Sequence, residues 1–180
     1  MDFRLLLLGA FALLVCALLF RPAGYYRRRR HLRKQRAARR VLERIAQFER
    51  PERSIGYLRK IDPLVFEELI LEAFERRGHQ VHRNARYTGD GGIDGRVVMR
   101  GQLYLVQAKR YAKHVSRQHI LQFAEMLERR NCPGFFCHTG RTGQFGRELN
   151  KTHPYLTIIS GQRLLELLQV PSPASPRSQA

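Results

Sequence analysis

The feature that most limits what this chain can fold into is a pair of strand-like runs, Ile93 to Met99 and Gln102 to Lys109, joined only by Arg100-Gly101. Both runs are rich in Val, Leu, Ile and Tyr, and a two-residue connection ending in Gly predicts a β-hairpin. Successive strand side chains point to opposite faces, so Leu105, Gln107 and Lys109 share one face and Tyr104, Val106 and Ala108 the other. A Gly-rich loop, Gly89-Asp90-Gly91-Gly92-Ile93-Asp94, leads into the hairpin. A carboxylate, an amide and an ammonium are thereby gathered at one end of a small sheet. Lys109 closes an apolar strand, where an ammonium needs a charged partner or a functional reason to sit, and Asp94 is the expected partner.

These residue types suit metal-dependent phosphodiester hydrolysis. Mg²⁺ prefers oxygen ligands and takes only one or two carboxylates from a protein, leaving room for water and substrate phosphate. A nearby Lys can orient the attacking water or stabilise developing charge. The plainer reading is a hairpin whose Asp and Lys form a salt bridge; the joint pattern of Gly-rich loop, Asp94 and Gln107-x-Lys109 favours the catalytic one. Asp90 stands in the same loop and reads at least as well as a turn former.

The flanking sequence supplies the rest of an α/β domain. Asp62-Pro63 is a helix start and Gly78 a stop. Between them Phe66, Leu69, Ile70, Ala73 and Phe74 repeat as a buried stripe, with Glu67 at its edge and Glu68, Glu72 and Glu75 expected on a solvated face. His79 to Ala85 reads as the first strand. After the hairpin come a helix capped by Ser116, a buried strand Gly134 to Thr139, a short helix Thr142 to Lys151, a strand Tyr155 to Ile159 and a last helix Gly161 to Leu168. The order α-β-β-β-α-β-α-β-α predicts a mixed sheet with helices on both faces.

Asp94, twelve residues, then Gln107-x-Lys109, preceded by the Gly-Asp-Gly-Gly-Ile-Asp loop and a helix carrying Phe66-Glu67-Glu68, resembles the Mrr-type catalytic domain of type IV restriction endonucleases, a branch of the PD-(D/E)xK nuclease superfamily. The resemblance covers about Ile61 to Leu168. It implies a restriction-endonuclease-like α/β fold and a DNA endonuclease using Mg²⁺ or Mn²⁺, restricting foreign or modified DNA. It also implies Asp94 and Gln107 as metal ligands, Lys109 as the catalytic lysine, and Glu67, with Glu68 as the neighbouring possibility, as the helix ligand. Gln107 replaces the superfamily's usual Asp or Glu and so removes one negative charge, which a helix glutamate could restore. Cutting both strands from a single-site enzyme usually takes two copies, so the reading also accommodates a homodimer.

The amino-terminal part is of another kind. Leu5 to Phe20 is an uninterrupted apolar run between Arg4 and Arg21; at ~1.5 Å per residue it spans about 24 Å, close enough to a ~30 Å hydrocarbon core for a single transmembrane helix over residues 4–21. The n-region has no net charge once Asp2 is counted, no Ala-x-Ala site follows, and Arg27-Arg28-Arg29-Arg30 opposes export, which argues against a cleaved signal peptide. The positive-inside rule then places the later residues in the cytoplasm, with the chain in the inner (cytoplasmic) membrane. Of the net charge of +18, residues 21–60 hold +12, from fifteen Lys and Arg against three Glu, and residues 61–180 hold +6, from seventeen against eleven acidic residues. Residues 22–60 therefore read as a basic linker, helical over His31 to Gln47, that can bind anionic lipid, stand off as a spacer or pair with a second copy. The globular domain is expected over 61–169 and a disordered Pro- and Ser-rich tail over 170–180.

Lys113, Arg117 and Arg141 are candidates for DNA-phosphate contacts on the globular part. The loop Gly140 to Arg147 lacks the ending of a nucleotide-binding phosphate loop, and reads as a DNA-phosphate clamp or a plain turn. The three cysteines make no zinc pattern. The competing reading is a nuclease-like domain that binds DNA, or a membrane scaffold, without catalysis.

Overall fold

The computed structural model describes Arg4, residues 23–84 and residues 92–169. The apolar run Leu5 to Phe20, the loop positions Gly89 to Gly91 with Asp90, and the tail from Val170 lie outside the described residues. Among the described residues no helix is long and apolar enough to cross a membrane.

The chain divides into two compact units, Met1–Arg33 and Lys34–Ala180. Helix α1 spans Ala23–Ile45, and its part from Lys34 onward belongs to the second unit. That unit continues with α2 (Pro51–Leu58), α3 (Pro63–Arg76), β1 (Gln80–Arg83), β2 (Gly95–Met99), β3 (Gln102–Lys109), α4 (Arg117–Arg129), β4 (Gly134–His138), α5 (Gln144–Thr152), β5 (Leu156–Ser160) and α6 (Gly161–Leu168). From α3 onward this is the order expected from the sequence. The local signals act as anticipated: the Asp62 carboxylate accepts the Val65 N–H at 3.1 Å and Ser116 Oγ accepts the His119 N–H at 3.4 Å, each capping the helix that follows.

The five strands lie in sequence order in one mixed sheet. β1, β2 and β3 are antiparallel, with Gly95 opposite Val106 and Met99 opposite Gln102, and β4 and β5 add in parallel, with Lys109 beside His138 and His138 beside Ser160. Val97, Val106, Ala108 and Cys137 face the core that α3 and α6 cover, whereas Leu105, Phe136, Leu156 and Ile158 face α4. Lys109, His138 and Ser160 thus end three neighbouring strands on the α4 face.

Residues read from the sequence as linker contribute to this core. Ala38, Val41, Leu42 and Ile45 of α1 and Leu58 of α2 are buried against the α3 and α6 side. Each larger one removes from water a side chain whose burial stabilises by about 1.5–3 kcal/mol, an upper figure because the unfolded chain already buries some of it. From Lys34 onward, then, α1 is part of the fold, neither a free spacer nor an isolated surface helix. Lys34 also pairs with Asp62 at 2.9 Å, joining α1 to the cap of α3.

A second departure concerns α3. Glu68 and Glu72, expected on a solvated face, are 2% and 4% exposed. The reason is guanidinium from three directions: Arg83 Nε donates to Glu68 at 3.1 Å, and Arg39 and Arg76 both donate to Glu72 at 3.0 Å. Only Glu75 keeps its expected exposure, and there Arg83 forms a two-armed pair at 2.7 and 3.1 Å.

Candidate active site

The site is built where β2 begins and β3 ends. Gly95 has no side chain, and a Cβ there would come within 2.6 Å of Leu71, so this glycine lets α3 seat directly on β2. Glu67 lies one helical turn before Leu71 on the same helix face. The same approach that brings Leu71 onto Gly95 therefore carries Glu67 toward Asp94, the next residue along. The charges of Glu67, Asp94 and Lys109 act on one another.

Asp94 is held by both of its polar ends. Its N–H donates to Val106 O at 2.8 Å, and its carboxylate Oδ2 accepts the Ala108 N–H at 2.7 Å, closing the ladder where regular pairing stops. The sequence led us to expect an ion pair between Asp94 and Lys109; the Ala108 amide takes that oxygen instead, and the ammonium acts on the carboxylate only through its field. Burial pushes the Asp94 carboxyl up to about 6, against the pull of the Ala108 N–H and of Lys109. Glu67 is pushed up to about 8, chiefly by burial and then by the negative charge of Asp94, with Lys109 again opposing. Two carboxylates are thus held near one ammonium with more negative charge than it balances.

Gln107 is 6% exposed, and its amide oxygen has no hydrogen-bond partner among the described residues. Its amide nitrogen lies against the Gly92 backbone, where a Cβ would come within 2.5 Å, and Gly92 has φ +90°. Glycine there serves both conformation and clearance. A buried amide oxygen and two carboxylates whose charged forms are disfavoured are the kinds of oxygen donor that a hard cation takes. Among the described residues no group of three or more His, Cys, Asp or Glu could hold a metal ion. An amide and one or two carboxylates nevertheless satisfy Mg²⁺, which keeps its other positions for water and phosphate.

The structure brings Glu67, Asp94, Gln107 and Lys109 to one end of the sheet, but it separates Glu68 from them by pairing it with Arg83. Lys113 and Arg141, both exposed, stand side by side: Arg141 N–H donates to Lys113 O at 2.8 Å and Val115 N–H to Arg141 O at 3.2 Å. Arg117 is also exposed but stacks on the Phe145 ring, with 4.1 Å between guanidinium carbon and ring centre. In the glycine loop, Gly140 is packed against Tyr111, Lys113 and Val115, and the Arg141 amide is already bonded. Neither group is free to cradle phosphate.

One pair escaped the sequence reading. Tyr111 Oη and His119 Nδ1 are 2.5 Å apart, and His119 is held below its ordinary pKa by burial and by the charge of Lys109. The two residues lie eight apart across a loop, so no helix or strand period could have linked them.

Comparison with known proteins bears on this geometry. A family model described as restriction endonuclease, the Mrr catalytic domain, matches residues 58–168. Among solved structures, the chain is similar to the MspJI restriction endonuclease in complex with a 27-mer oligonucleotide, with 25% identity and a TM-score of 0.43 over 57% of this chain. The similarity takes in 26% of that enzyme, so this chain corresponds to about a quarter of its length. No curated protein matches the chain.

Proposed function

The chain belongs to the Mrr catalytic-domain family of restriction endonucleases, and from that premise we propose that it is a metal-dependent DNA endonuclease held at a membrane by its amino-terminal segment. What supports the proposal is the mutual action of the Glu67, Asp94 and Lys109 charges at the strand end that also carries the buried Gln107 amide. Asp94, Gln107 and Glu67 hold Mg²⁺ or Mn²⁺ in this reading. A divalent cation there supplies Lewis-acid polarisation of the phosphodiester and lowers the pKa of a water.

The protein's own groups do the rest. Lys109, on the same strand face as Gln107, orients the water and offsets charge building on the phosphoryl oxygens. Asp94 keeps its orientation through the Ala108 N–H, so the ligand is set before any ion arrives. Lys113 and Arg141, side by side on the rim, bind DNA phosphates together with Arg117. The apolar run Leu5 to Phe20 and the arginines after it are read as a single-pass anchor with anionic-lipid contacts, putting the catalytic domain in the cytoplasm.

The test is cleavage of plasmid DNA by the full chain in detergent micelles, on methylated and unmethylated substrate, with Mg²⁺ or EDTA. We expect metal-dependent cutting that Lys109→Ala lowers by roughly 1000-fold or more. Binding of DNA without cutting in either Mg²⁺ or Mn²⁺ would replace this reading with the non-catalytic one.

A further inference from the structure

Arg59 and Arg110 set up a site that neither the sequence pattern nor the family match assigns. Arg59 caps the carboxyl end of α2, directly after the buried Leu58, and its Nε donates to Thr139 O at 3.0 Å at the end of β4. Arg110 follows Lys109, and its Nη1 donates to Arg59 O at 2.5 Å. Thr139 in turn fixes the next peptide, its hydroxyl donating to Tyr111 O at 2.8 Å and accepting the Tyr111 N–H at 2.9 Å. Two guanidiniums are therefore locked onto one edge, where β3 and β4 end, on the α2 side of the sheet.

Arg39, Arg76 and Arg83 each meet a glutamate, whereas Arg59 and Arg110, both only partly exposed, bond to backbone carbonyls and have no carboxylate within ion-pair distance among the described residues. Arg77 also bonds backbone carbonyls, at the end of α6; Arg59 and Arg110 differ from it in being joined to each other. The Arg110 Nε is buried with no hydrogen-bond partner among the described residues, so the arms left for a ligand are the Nη groups. Satisfying a carbonyl at the end of α2 accounts for one arm of Arg110. It does not account for a second uncompensated guanidinium on the same edge, nor for the donors left over on both. Planar forks with spare N–H groups and unbalanced charge suit a doubly bonded phosphate oxygen pair.

We propose that Arg59 and Arg110 form a binding site for a DNA backbone phosphate, next to the catalytic strand end and on the side away from Lys113 and Arg141. The inference rests on the DNA reading above and gives it a geometry: the duplex is gripped on both sides of Lys109, and α2, outside the catalytic motif, becomes part of the substrate surface. A phosphate held there cannot slide past the strand end without releasing a locked residue.

The experiment is anisotropy of a labelled duplex titrated with the full chain, with Ca²⁺ replacing Mg²⁺, across a range of KCl concentrations. Arg59→Gln and Arg110→Gln should each weaken binding roughly tenfold and reduce the slope of log affinity against log salt by about 1. Arg59→Lys and Arg110→Lys keep the charge and should keep the slope while losing affinity. Gln variants that bind with the wild-type slope, whether or not their melting temperature falls, would overturn the proposal, since a purely structural role moves stability and not counterion release. If a Gln variant does not fold, the Lys variant decides: wild-type affinity with Lys means the fork is not used. A wild-type chain that does not bind the duplex at all refutes the DNA reading, a different failure.

Discussion

Helix α3 carries two sets of carboxylates a single residue apart, and they are treated in opposite ways. Glu68 and Glu72 are more deeply buried than Glu67, yet each meets guanidinium: Arg83 for the first, Arg39 and Arg76 for the second. Glu67 looks instead toward Asp94, another carboxylate, and shares with it the one ammonium of Lys109. Its carboxyl is pushed up to about 8 as a result. Depth alone thus fails to separate Glu67 from Glu68 and Glu72. The distinguishing property is a shortage of positive charge, which a bound cation would remove.

The sharpest way to break this comparison is to neutralise one acid of each set. Glu68→Gln removes one of the carboxylates around Arg83, which keeps its pair with Glu75, and should destabilise the fold by about 1–2 kcal/mol, while the molecules that remain folded cut DNA normally. Glu67→Gln should do the reverse, leaving the melting temperature unchanged or raised. Its cleavage should fall by more than roughly 100-fold, the upper end for a metal's outer-shell partners. Thermal unfolding and plasmid cleavage on the same preparations separate the two. Equal losses of stability and of activity in both variants would mean that the acids are not divided as we describe.

How much of this could be read from the chain depends on whether a residue's role is local. Alternation in β3 put Gln107 and Lys109 on one face, and the stripe through Phe66 and Phe74 gave α3 its buried side; both depend only on strand and helix period. The place of Glu67, at the edge of that stripe, was also legible. The burial of Glu68 and Glu72 was not, because it requires Arg39, thirty-three residues before Glu72, and Arg83 from β1. Sequence period assigns a face but not the charge of what covers it. Likewise α1 carries so many arginines that its four core positions, Ala38, Val41, Leu42 and Ile45, read as sparse until α3 and α6 are seen against them. Gly95 held a clue in plain view: a glycine directly after Asp94 announces close approach by another element.

Gly92 sharpens the comparison at the Gln107 amide, with a smaller effect. Gly92→Ala forces a residue with a Cβ into φ +90° and drives that Cβ into the Gln107 amide, whereas Gly78, at φ +82°, has nothing within 4 Å of the same added atom. Both substitutions should cost about 1–3 kcal/mol of backbone strain. Only Gly92→Ala should also lower cleavage, by roughly tenfold, because it moves the Gln107 oxygen. Matching melting temperatures with unequal nuclease rates is the expected result; a Gly92→Ala enzyme as active as Gly78→Ala would remove Gln107 from the ligand set.

The subtlest test is the sign of the pH dependence, which differs between Glu67 and the Arg83-paired Glu75 of the same helix. Glu67 titrates near 4.5 when unfolded and near 8 in the metal-free native state, so the native state binds its proton more tightly. The stability this gives is fully present below pH 4.5 and is lost as pH rises through 8. Asp94 acts in the same direction over a lower range, between 3.8 and about 6. Glu75 is the opposite case, since the hydrogen bonds from Arg83 hold its carboxyl below the ordinary value. Its contribution is present above pH 4.5 and is lost as pH falls through the depressed native value. In EDTA, the wild-type melting temperature should therefore decline between pH 5 and pH 8.5 relative to Glu67→Gln. At about 2–4 °C per kcal/mol for a chain of this size, the difference is within reach of calorimetry. Mg²⁺ should abolish the decline in the wild type and leave Glu67→Gln nearly unmoved, because a cation that binds only the native state stabilises it in proportion to its affinity. If wild type and Glu67→Gln instead run parallel across that range, the charge shortage that sets Glu67 apart from Glu68 does not exist.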